Sequence, residues 1–117
     1  MQPKTILIVE DEDDIRELIL YNLSREGFSL LEAASGEEGL RLAEETRPDL
    51  ILLDLMLPEI DGFEVCRHLK RNPELRDIPV VMLTAKSEKS DIETGLRVGA
   101  VDYIPKPFSP KMLVVRV

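Results

Sequence analysis

The chain has 117 residues, and its 23 acidic and 15 basic side chains give a formal net charge of -8. This length suits one domain with a real core, and the negative charge argues against a surface that attracts DNA or anionic lipid by itself. The single cysteine excludes an internal disulfide, and no apolar run approaches the roughly 20 residues of a membrane span. Because the N-terminus enters a strand-like run without a signal-peptide cleavage region, we expect a soluble, cytoplasmic protein.

The first half of the chain alternates between short apolar runs and helical patterns. Residues 5–9 are rich in branched apolar side chains, which is typical of a buried strand. A helical pattern follows and is expected to stop at Gly27, after which residues 28–33 predict the second strand. Ser35 is expected to cap a second helix, with Glu38 completing a capping box three residues later. The predicted order is therefore strand, helix, strand, helix.

The second half continues this rhythm. Residues 50–53 predict a wholly apolar third strand, which Asp54 ends. Pro110 suits the first turn of a fifth helix, which the end of this chain would truncate. The elements between are predicted at 63–72 (helix), 80–83 (strand), 90–98 (helix) and 103–104 (strand). Five strands alternating with helices predict a doubly wound α/β fold, with a parallel sheet covered on both faces.

Polar side chains follow four of the predicted strands. They are Glu10 and Asp11 after the first, Asp54 after the third, Thr84 after the fourth and Lys106 after the fifth. Ligands of open α/β sheets gather beyond the carboxyl ends of the strands, so we expect these groups to meet at one edge. Neighbouring carboxylates repel one another, and a hard cation such as Mg²⁺ resolves that repulsion. Zinc would prefer Cys or His ligands.

A carboxylate beside Mg²⁺ can act as a nucleophile toward phosphorus and form an aspartyl phosphate. Asp54 is the candidate for this role, because it directly follows four buried apolar residues at the ligand edge. Phosphoryl transfer depends mainly on positioning and charge stabilisation. The Lys106 ammonium can supply charge, and the Thr84 hydroxyl can bond a phosphoryl oxygen. The sequence therefore predicts a phosphoryl-acceptor site.

Several segments carry a family resemblance: ILIVED at 6–11, DLILLD at 49–54 with MLP at 56–58 and DG at 61–62, PVVMLTA at 79–85, and GAVDY at 99–103 with KPF at 106–108. In this order they resemble the receiver domain of bacterial response regulators, over residues 5–117. The resemblance implies a five-stranded flavodoxin-like sheet with strand order 2-1-3-4-5. Residues 76–84 and 106–110 are most similar to phosphate-response regulators, which carry a winged-helix DNA-binding domain.

The resemblance also implies roles for the residues at the strand ends. Asp54 would accept a phosphoryl group from a sensor histidine kinase. Asp11, Asp54 and the backbone carbonyl of Met56 would bind Mg²⁺ directly, and Glu10 would act through a metal-bound water. Asp54, Thr84 and Lys106 would then form the catalytic set.

A switch and a dimer face are implied as well. Thr84 would turn toward the phosphoryl group and Tyr103 would pack inward, which would move the face made by the fourth helix, fifth strand and fifth helix. Such receivers dimerise through this face with charged pairs. The residues expected there are Ile92, Val101, Asp102, Met112 and Arg116. Only Asp102 and Arg116 offer a charged pair, so we expect a more apolar dimer face or a different one.

Other functions compete with a phosphorylated receiver as explanations of these residues. A stand-alone receiver that acts by protein–protein binding remains an alternative. A Mg²⁺-dependent phosphatase would need a second acid two residues after the nucleophile, where this chain has Met56. Nucleotide binding lacks a Gly-rich fingerprint or P-loop after any strand. An EF-hand loop from Asp11 fails, since Arg16 and Asn22 occupy its required Gly and Glu positions.

The single residues also have structural interpretations. The acidic run at 10–14, read alone, is a solvated helix start, and Asp61-Gly62 is first a turn or helix entry. Cys66 is expected in the helix core and His68 on the surface. Only the combination of strand-end residues favours a functional site.

Overall fold

The computed structural model describes residues 4–84, 97, 99–100 and 102–105, and of residues 84 and 102–105 it describes the backbone alone. Its elements are β1 (Thr5–Val9), α1 (Asp13–Ser24), β2 (Ser29–Ala33), α2 (Gly36–Thr46), β3 (Leu50–Asp54), α3 (Gly62–Arg71), β4 (Val80–Thr84) and β5 (Asp102–Pro105). The predicted helix at 90–98, except for Arg97, and the predicted helix from Pro110 lie outside the described residues. In the part of the chain that is described, no helix is both long and apolar enough to cross a membrane.

The strands form one five-stranded parallel sheet in the order β2-β1-β3-β4-β5, which confirms the predicted order. β1 and β3 are neighbours, with Val9 opposite Leu53, and β3 pairs with β4, with Asp54 opposite Leu83. β3 and β4 each end one residue later than predicted, at Asp54 and Thr84, and β5 extends one residue further than predicted at both ends. Since all the strands run in one direction, their carboxyl ends lie along one edge of the sheet.

The strands β1, β3 and β4 direct alternate side chains into two apolar layers, as expected for a sheet covered on both faces. The α2–α3 layer buries the strand residues Leu7, Val9, Ile51, Leu53, Val80 and Met82. The α1 layer buries Ile6, Ile8, Leu52, Val81 and Leu83. Full burial of such a side chain contributes about 1.5 to 3 kcal/mol. The two layers therefore hold the strands in register and the helices against them.

Ser35 caps α2 as predicted, but the capping box differs from the prediction, and the C-cap of α1 is Arg25 rather than the predicted Gly27. The Ser35 hydroxyl accepts a 3.2 Å hydrogen bond from the backbone N of Glu38, as predicted. The Glu38 carboxylate, however, accepts a 3.5 Å hydrogen bond from Ala34 N, because its side chain reaches one residue further back than the capping box requires. α1 ends at Ser24, and Gly27 has a φ of 87°, a conformation that glycine adopts without steric cost.

Cys66 and His68 lie on α3 where the sequence predicts them, the thiol buried and the imidazole exposed. Burial raises the pKa of the Cys66 thiol, and the charges of Lys70 and Arg67 offset only part of that rise. The thiol is therefore neutral at physiological pH, as befits a core residue.

Replacing Leu52 by alanine is expected to lower the free energy of unfolding by about 2 to 5 kcal/mol, because it leaves a cavity in the α1 layer. Leu52 is fully buried on β3, whereas Leu18 on α1 is 41% exposed and provides a control with the same chemical change. Leu18→Ala is expected to change the free energy of unfolding by about 1 kcal/mol or less. Urea denaturation followed by circular dichroism measures both values. Equal losses for the two variants would contradict the assigned core.

Candidate functional site

Three carboxylates meet at the carboxyl-end edge of the sheet. Glu10 and Asp11 directly follow β1, and Asp54 is the last residue of β3. Because β1 and β3 are neighbours, one oxygen atom from each of these side chains lies within 4.8 Å of the other two. Glu10 and Asp54 are buried, and Asp11 is partly exposed. Two unit charges about 4 Å apart near a protein surface repel by about 4 kcal/mol, so this cluster calls for a cation.

The Asp11 side chain provides an independent test of that requirement. Its Oδ1 atom is buried and has no hydrogen-bond partner among the described residues. A buried polar atom without a partner costs about 1 to 3 kcal/mol, and more when it is charged. An ion held at this cluster and bound directly by Asp11 would satisfy this oxygen. The all-oxygen donor set fits Mg²⁺ and does not fit zinc.

The Asp54 carboxylate is fixed by the backbone around the end of β3. The backbone N of Met56 donates a 3.2 Å hydrogen bond to Asp54 Oδ1, and Leu55 N continues the sheet with a 2.9 Å hydrogen bond to Leu83 O. At the predicted metal centre, Met56 therefore acts as a backbone hydrogen-bond donor to Asp54, and the ligand role of its carbonyl oxygen stays a prediction. The carboxylate oxygen is thereby oriented before any ligand binds.

Gly62, the first residue of α3, packs directly against the backbone at the end of β3. A Cβ atom at this position would lie 2.5 Å from Asp54 O and 2.8 Å from Leu55 Cα, which are backbone atoms that cannot easily move. Asp61 caps α3 by accepting a 3.0 Å hydrogen bond from Glu64 N. The prediction that Asp61-Gly62 is a helix entry is therefore confirmed. The sequence alone did not predict the close approach of α3 to Asp54. The only sequence signal for this contact is the Asp-Gly pair that precedes the apolar stripe of the helix.

The turn between Glu10 and Asp11 is held by β2 and by α1. Glu10 N donates a 3.0 Å hydrogen bond to Ala33 O, and Arg16 Nη1 donates a 2.8 Å hydrogen bond to Glu10 O. The sequence alone did not identify Arg16 as a residue that supports the site. Its place near the start of the predicted helix was the only signal that could have suggested this role. Burial opposes the charge of this guanidinium, but hydrogen bonds and charges from Asp13 and Glu32 outweigh it and raise the pKa of Arg16.

A cleft of about 570 Å³ reaches the carboxylate cluster at Asp11, and neither Glu10 nor Asp54 is among its lining residues. Met56 is one of the exposed large apolar side chains of the described residues. The residues that line the cleft are Asp11, Leu55, Met56, Leu57, Pro58, Asp61 and Phe63. Most of this lining is apolar, and its two carboxylates, Asp11 and Asp61, lie among those side chains. A hydrated cation fits a cleft of this size that carries two carboxylates.

The remaining predicted residues lie on or beyond the last two strands. Thr84 ends β4 with its backbone opposite Pro105, and in β5 the backbones of Tyr103 and Asp102 lie opposite Met82 and Val81. The side chains of Thr84, Asp102 and Tyr103 are not among those described. The predicted positions outside the described residues are Lys106, Ile92, Val101, Met112 and Arg116. The strand ends place the Thr84 backbone beside the residue that precedes Lys106, at the edge that also carries Asp54.

Comparison with protein families gives a match over nearly the whole chain. A family model described as the response regulator receiver domain matches residues 6–117. The phosphate regulon transcriptional regulatory protein PhoB of Escherichia coli is 51% identical over 114 residues, which are 97% of this chain and 50% of that protein. The alkaline phosphatase synthesis transcriptional regulatory protein PhoP of Bacillus subtilis is 49% identical, over 97% of this chain and 47% of that protein. The chain spans about half the length of these curated relatives.

Solved structures show the same fold. A putative response regulator from Chloroflexus aurantiacus superimposes with a TM-score of 0.93 at 39% identity, over 97% of this chain and 93% of that one. The chemotaxis protein CheY4 of Vibrio cholerae also gives 0.93, at 30% identity, over 97% of this chain and 95% of that one.

Replacing Asp11 by asparagine is expected to stabilise the cation-free protein by about 1 kcal/mol, or about 4 °C in Tm, because it removes one of three repelling charges. The same change should remove most of the increase in Tm that Mg²⁺ gives the unaltered protein, since binding to the folded state stabilises it by mass action. Thermal unfolding with and without Mg²⁺ measures both effects.

Asp14→Asn provides the control, because Asp14 belongs to the same acidic run but not to the cluster. It should keep the Mg²⁺ response of the unaltered protein. An equal Mg²⁺ response in Asp11→Asn would show that the cluster is not the cation site.

Proposed function

Since this chain belongs to the response regulator receiver domain family, we propose that it is a phosphorylation-controlled switch in which Asp54 accepts a phosphoryl group. It is a receiver domain of two-component signalling, and the proposed donor is the phosphohistidine of a sensor histidine kinase. The observation that carries the proposal is the buried Asp54 carboxylate, grouped with Glu10 and Asp11 beside the cleft. Its place at the end of β3 gives a nucleophile on a rigid element.

The transfer step follows from the position of the Asp54 carboxylate. One of its oxygens forms the new bond to phosphorus while the P–N bond of the phosphohistidine breaks, and the imidazole nitrogen leaves with the electron pair and is protonated. The hydrogen bond from Met56 N to Asp54 Oδ1 keeps the carboxylate aimed. We propose that Asp11, Asp54 and the carbonyl of Met56 hold Mg²⁺ directly and that Glu10 does so through water. Mg²⁺, when bound, supplies positive charge that offsets the carboxylates and the phosphoryl oxygens.

Thr84 and Lys106 are proposed to complete the site. The Thr84 hydroxyl would bond a phosphoryl oxygen, and the Lys106 ammonium would stabilise the charge on the transferred group. The neighbouring ends of β4 and β5 support this arrangement, because Thr84 pairs with Pro105, the residue before Lys106. Phosphorylation would then move Thr84 and Tyr103 together. That movement would change the surface formed by β5 and the two predicted helices that flank it.

The proposed output is dimerisation followed by transcriptional control. The supporting observation is that two relatives near 50% identity are described as transcriptional regulatory proteins and are about twice as long as this chain. Residues 1–117 would be the receiver, and an effector domain outside this chain would contact DNA. The residues proposed for the dimer face are Ile92, Val101, Asp102, Met112 and Arg116. The chain would act in the cytoplasm and would catalyse only its own phosphoryl transfer and dephosphorylation.

A stand-alone receiver that acts by binding another protein is the second candidate. The observation that favours it is the match to CheY4 of Vibrio cholerae, of which this chain covers 95%. A phosphatase is disfavoured, because the residue two positions after Asp54 is the apolar, exposed Met56, which cannot donate a proton to a leaving group.

Incubation with phosphoramidate and Mg²⁺ is expected to add the mass of one phosphoryl group to the protein and none to Asp54→Asn, because the amide is a poor nucleophile. Intact-mass spectrometry provides the measurement. Asp61→Asn is the matched control, since Asp61 lines the adjoining cleft together with Asp11 and asparagine preserves its capping role. Equal labelling of Asp54→Asn and the unaltered protein would overturn the assignment. Continuous release of phosphate from ester substrates would favour the phosphatase instead.

Beryllofluoride with Mg²⁺ is expected to convert the protein from monomer to dimer, because it imitates the phosphoryl group and should shift the switch face. Sedimentation velocity distinguishes the two species, and Asp54→Asn should remain monomeric under the same conditions. A persistent monomer would contradict the dimeric output and favour the stand-alone receiver. It would leave the labelling result at Asp54 untouched.

A further inference from the structure

Arg16 joins three parts of the molecule through three different nitrogen atoms. Its Nη1 donates to the backbone carbonyl of Glu10 at 2.8 Å, its Nη2 to Asp13 Oδ1 at 2.6 Å, and its Nε to Glu32 Oε1 at 3.3 Å. Glu10 lies in the turn after β1, Asp13 begins α1, and Glu32 lies on β2. A planar guanidinium with a fixed set of donors is suited to hold such a three-way junction.

The contact with the Glu10 carbonyl is the significant one of the three. The Arg16 side chain is only 14% exposed, whereas its partners Asp13 and Glu32 are 79% and 56% exposed. Ion pairs with exposed carboxylates contribute little, typically about 0 to 1 kcal/mol. A hydrogen bond from a charged donor to a partly buried carbonyl is worth more, and its loss leaves that carbonyl without this donor.

The carbonyl in question belongs to the peptide group that links Glu10 to Asp11. On its other side, Glu10 N is fixed to Ala33 O at 3.0 Å, so backbone groups of this residue are restrained by both β2 and α1. The orientation of the next residue, Asp11, follows from that peptide plane. The buried Oδ1 atom of Asp11 is the oxygen that most requires a cation.

We propose that Arg16 is a positioning residue for cation binding: it holds the Glu10–Asp11 peptide so that the Asp11 and Asp54 carboxylates face one ion. This inference rests on the proposed function in taking Mg²⁺ as the ligand. Groups that orient the ligands of a metal ion typically affect its affinity by about 10- to 100-fold when they are removed. Arg16 makes no direct contact with the ion in this role.

The geometric role and a purely electrostatic role predict opposite effects. Removing a positive charge near the carboxylates makes the site more negative, which by itself strengthens the attraction for a cation. If Arg16 acts by geometry, its removal instead weakens the binding of Mg²⁺. A lysine at this position keeps the charge but is a flexible point donor that cannot serve three acceptors in three directions.

The test is isothermal titration of Mg²⁺ into Arg16→Gln and Arg16→Lys at a temperature where each is folded. Both variants are expected to bind Mg²⁺ about 10-fold or more weakly than the unaltered protein. Arg41→Gln is the matched control, because Arg41 is an exposed arginine of α2 paired with Glu45, and its loss changes the net charge equally. This control should change the affinity by about twofold or less.

Hydrogen exchange of the cation-free protein provides a second measurement. The amides of residues 10–12 are expected to exchange faster in both Arg16 variants and at the original rate in Arg41→Gln. If Arg16→Gln proves unfolded, Arg16→Lys carries both measurements.

Each outcome decides the question. Unchanged or stronger Mg²⁺ binding in the Arg16 variants would overturn the inference, even if their free energy of unfolding falls, because that result indicates a structural or electrostatic role. Labelling of Asp54 in the unaltered protein would then still support the proposed function. If the unaltered protein itself binds no Mg²⁺, both the inference and the proposed cation site fail.

Discussion

The parallel pairing of β1 with β3 forces like charges together, and the site depends on that constraint. With Val9 opposite Leu53, the chain leaves β1 at Glu10 and Asp11 beside the point where β3 ends at Asp54. The apolar layers on both faces hold this register, because a slip of β3 would draw a carboxylate between them at a cost of several kcal/mol. Hydrophobic burial therefore maintains an electrostatically unfavourable cluster, and a bound cation would relieve the repulsion within it.

The two strand ends are supported in different ways. On the β3 side, the support is steric. The first residue of α3 lies so close to the end of β3 that position 62 has room only for glycine. On the β1 side, the support is polar, because the guanidinium of Arg16 and the strand β2 restrain the backbone of Glu10. The clustered carboxylates are thus held in place by α1, β2 and α3, which contribute no carboxylate to the cluster. This division explains why the acidic residues alone would not define the site.

Much of this architecture follows from local sequence signals. The apolar runs predict all five strands to within one or two residues, and the rule that ligands gather beyond parallel strands brings Glu10, Asp11 and Asp54 together. Local signals could not predict the contact of Gly62 with the end of β3, because it depends on how closely two elements pack. Arg16 was missed for a similar reason, since its acceptors lie on other elements and an arginine early in a helix is ordinary.

The predictions beyond β4 have a different basis. The phosphoryl-site roles of Thr84 and Lys106 follow from their places after the predicted strands, whereas the switch role of Tyr103 comes from the family resemblance alone. The structure places the backbones of Thr84 and Tyr103 on β4 and β5, as expected. The proposed dimer face would consist of residues that pack against a second molecule. A single chain provides no local signal for such contacts, so that part rests on resemblance.

The hydrogen bond from Gly62 N to Leu55 O, at 3.0 Å, closes the neck of the segment between β3 and α3. This segment supplies most of the lining of the cleft, yet its two ends are tied to each other and to the sheet. The side chain of Leu57 is buried in the α2–α3 layer, so the segment is anchored to the core as well. Because Met56 N in the same segment holds Asp54 Oδ1, the shape of the cleft entrance and the orientation of the nucleophile are coupled, so a substitution in this segment would alter access and reactivity together.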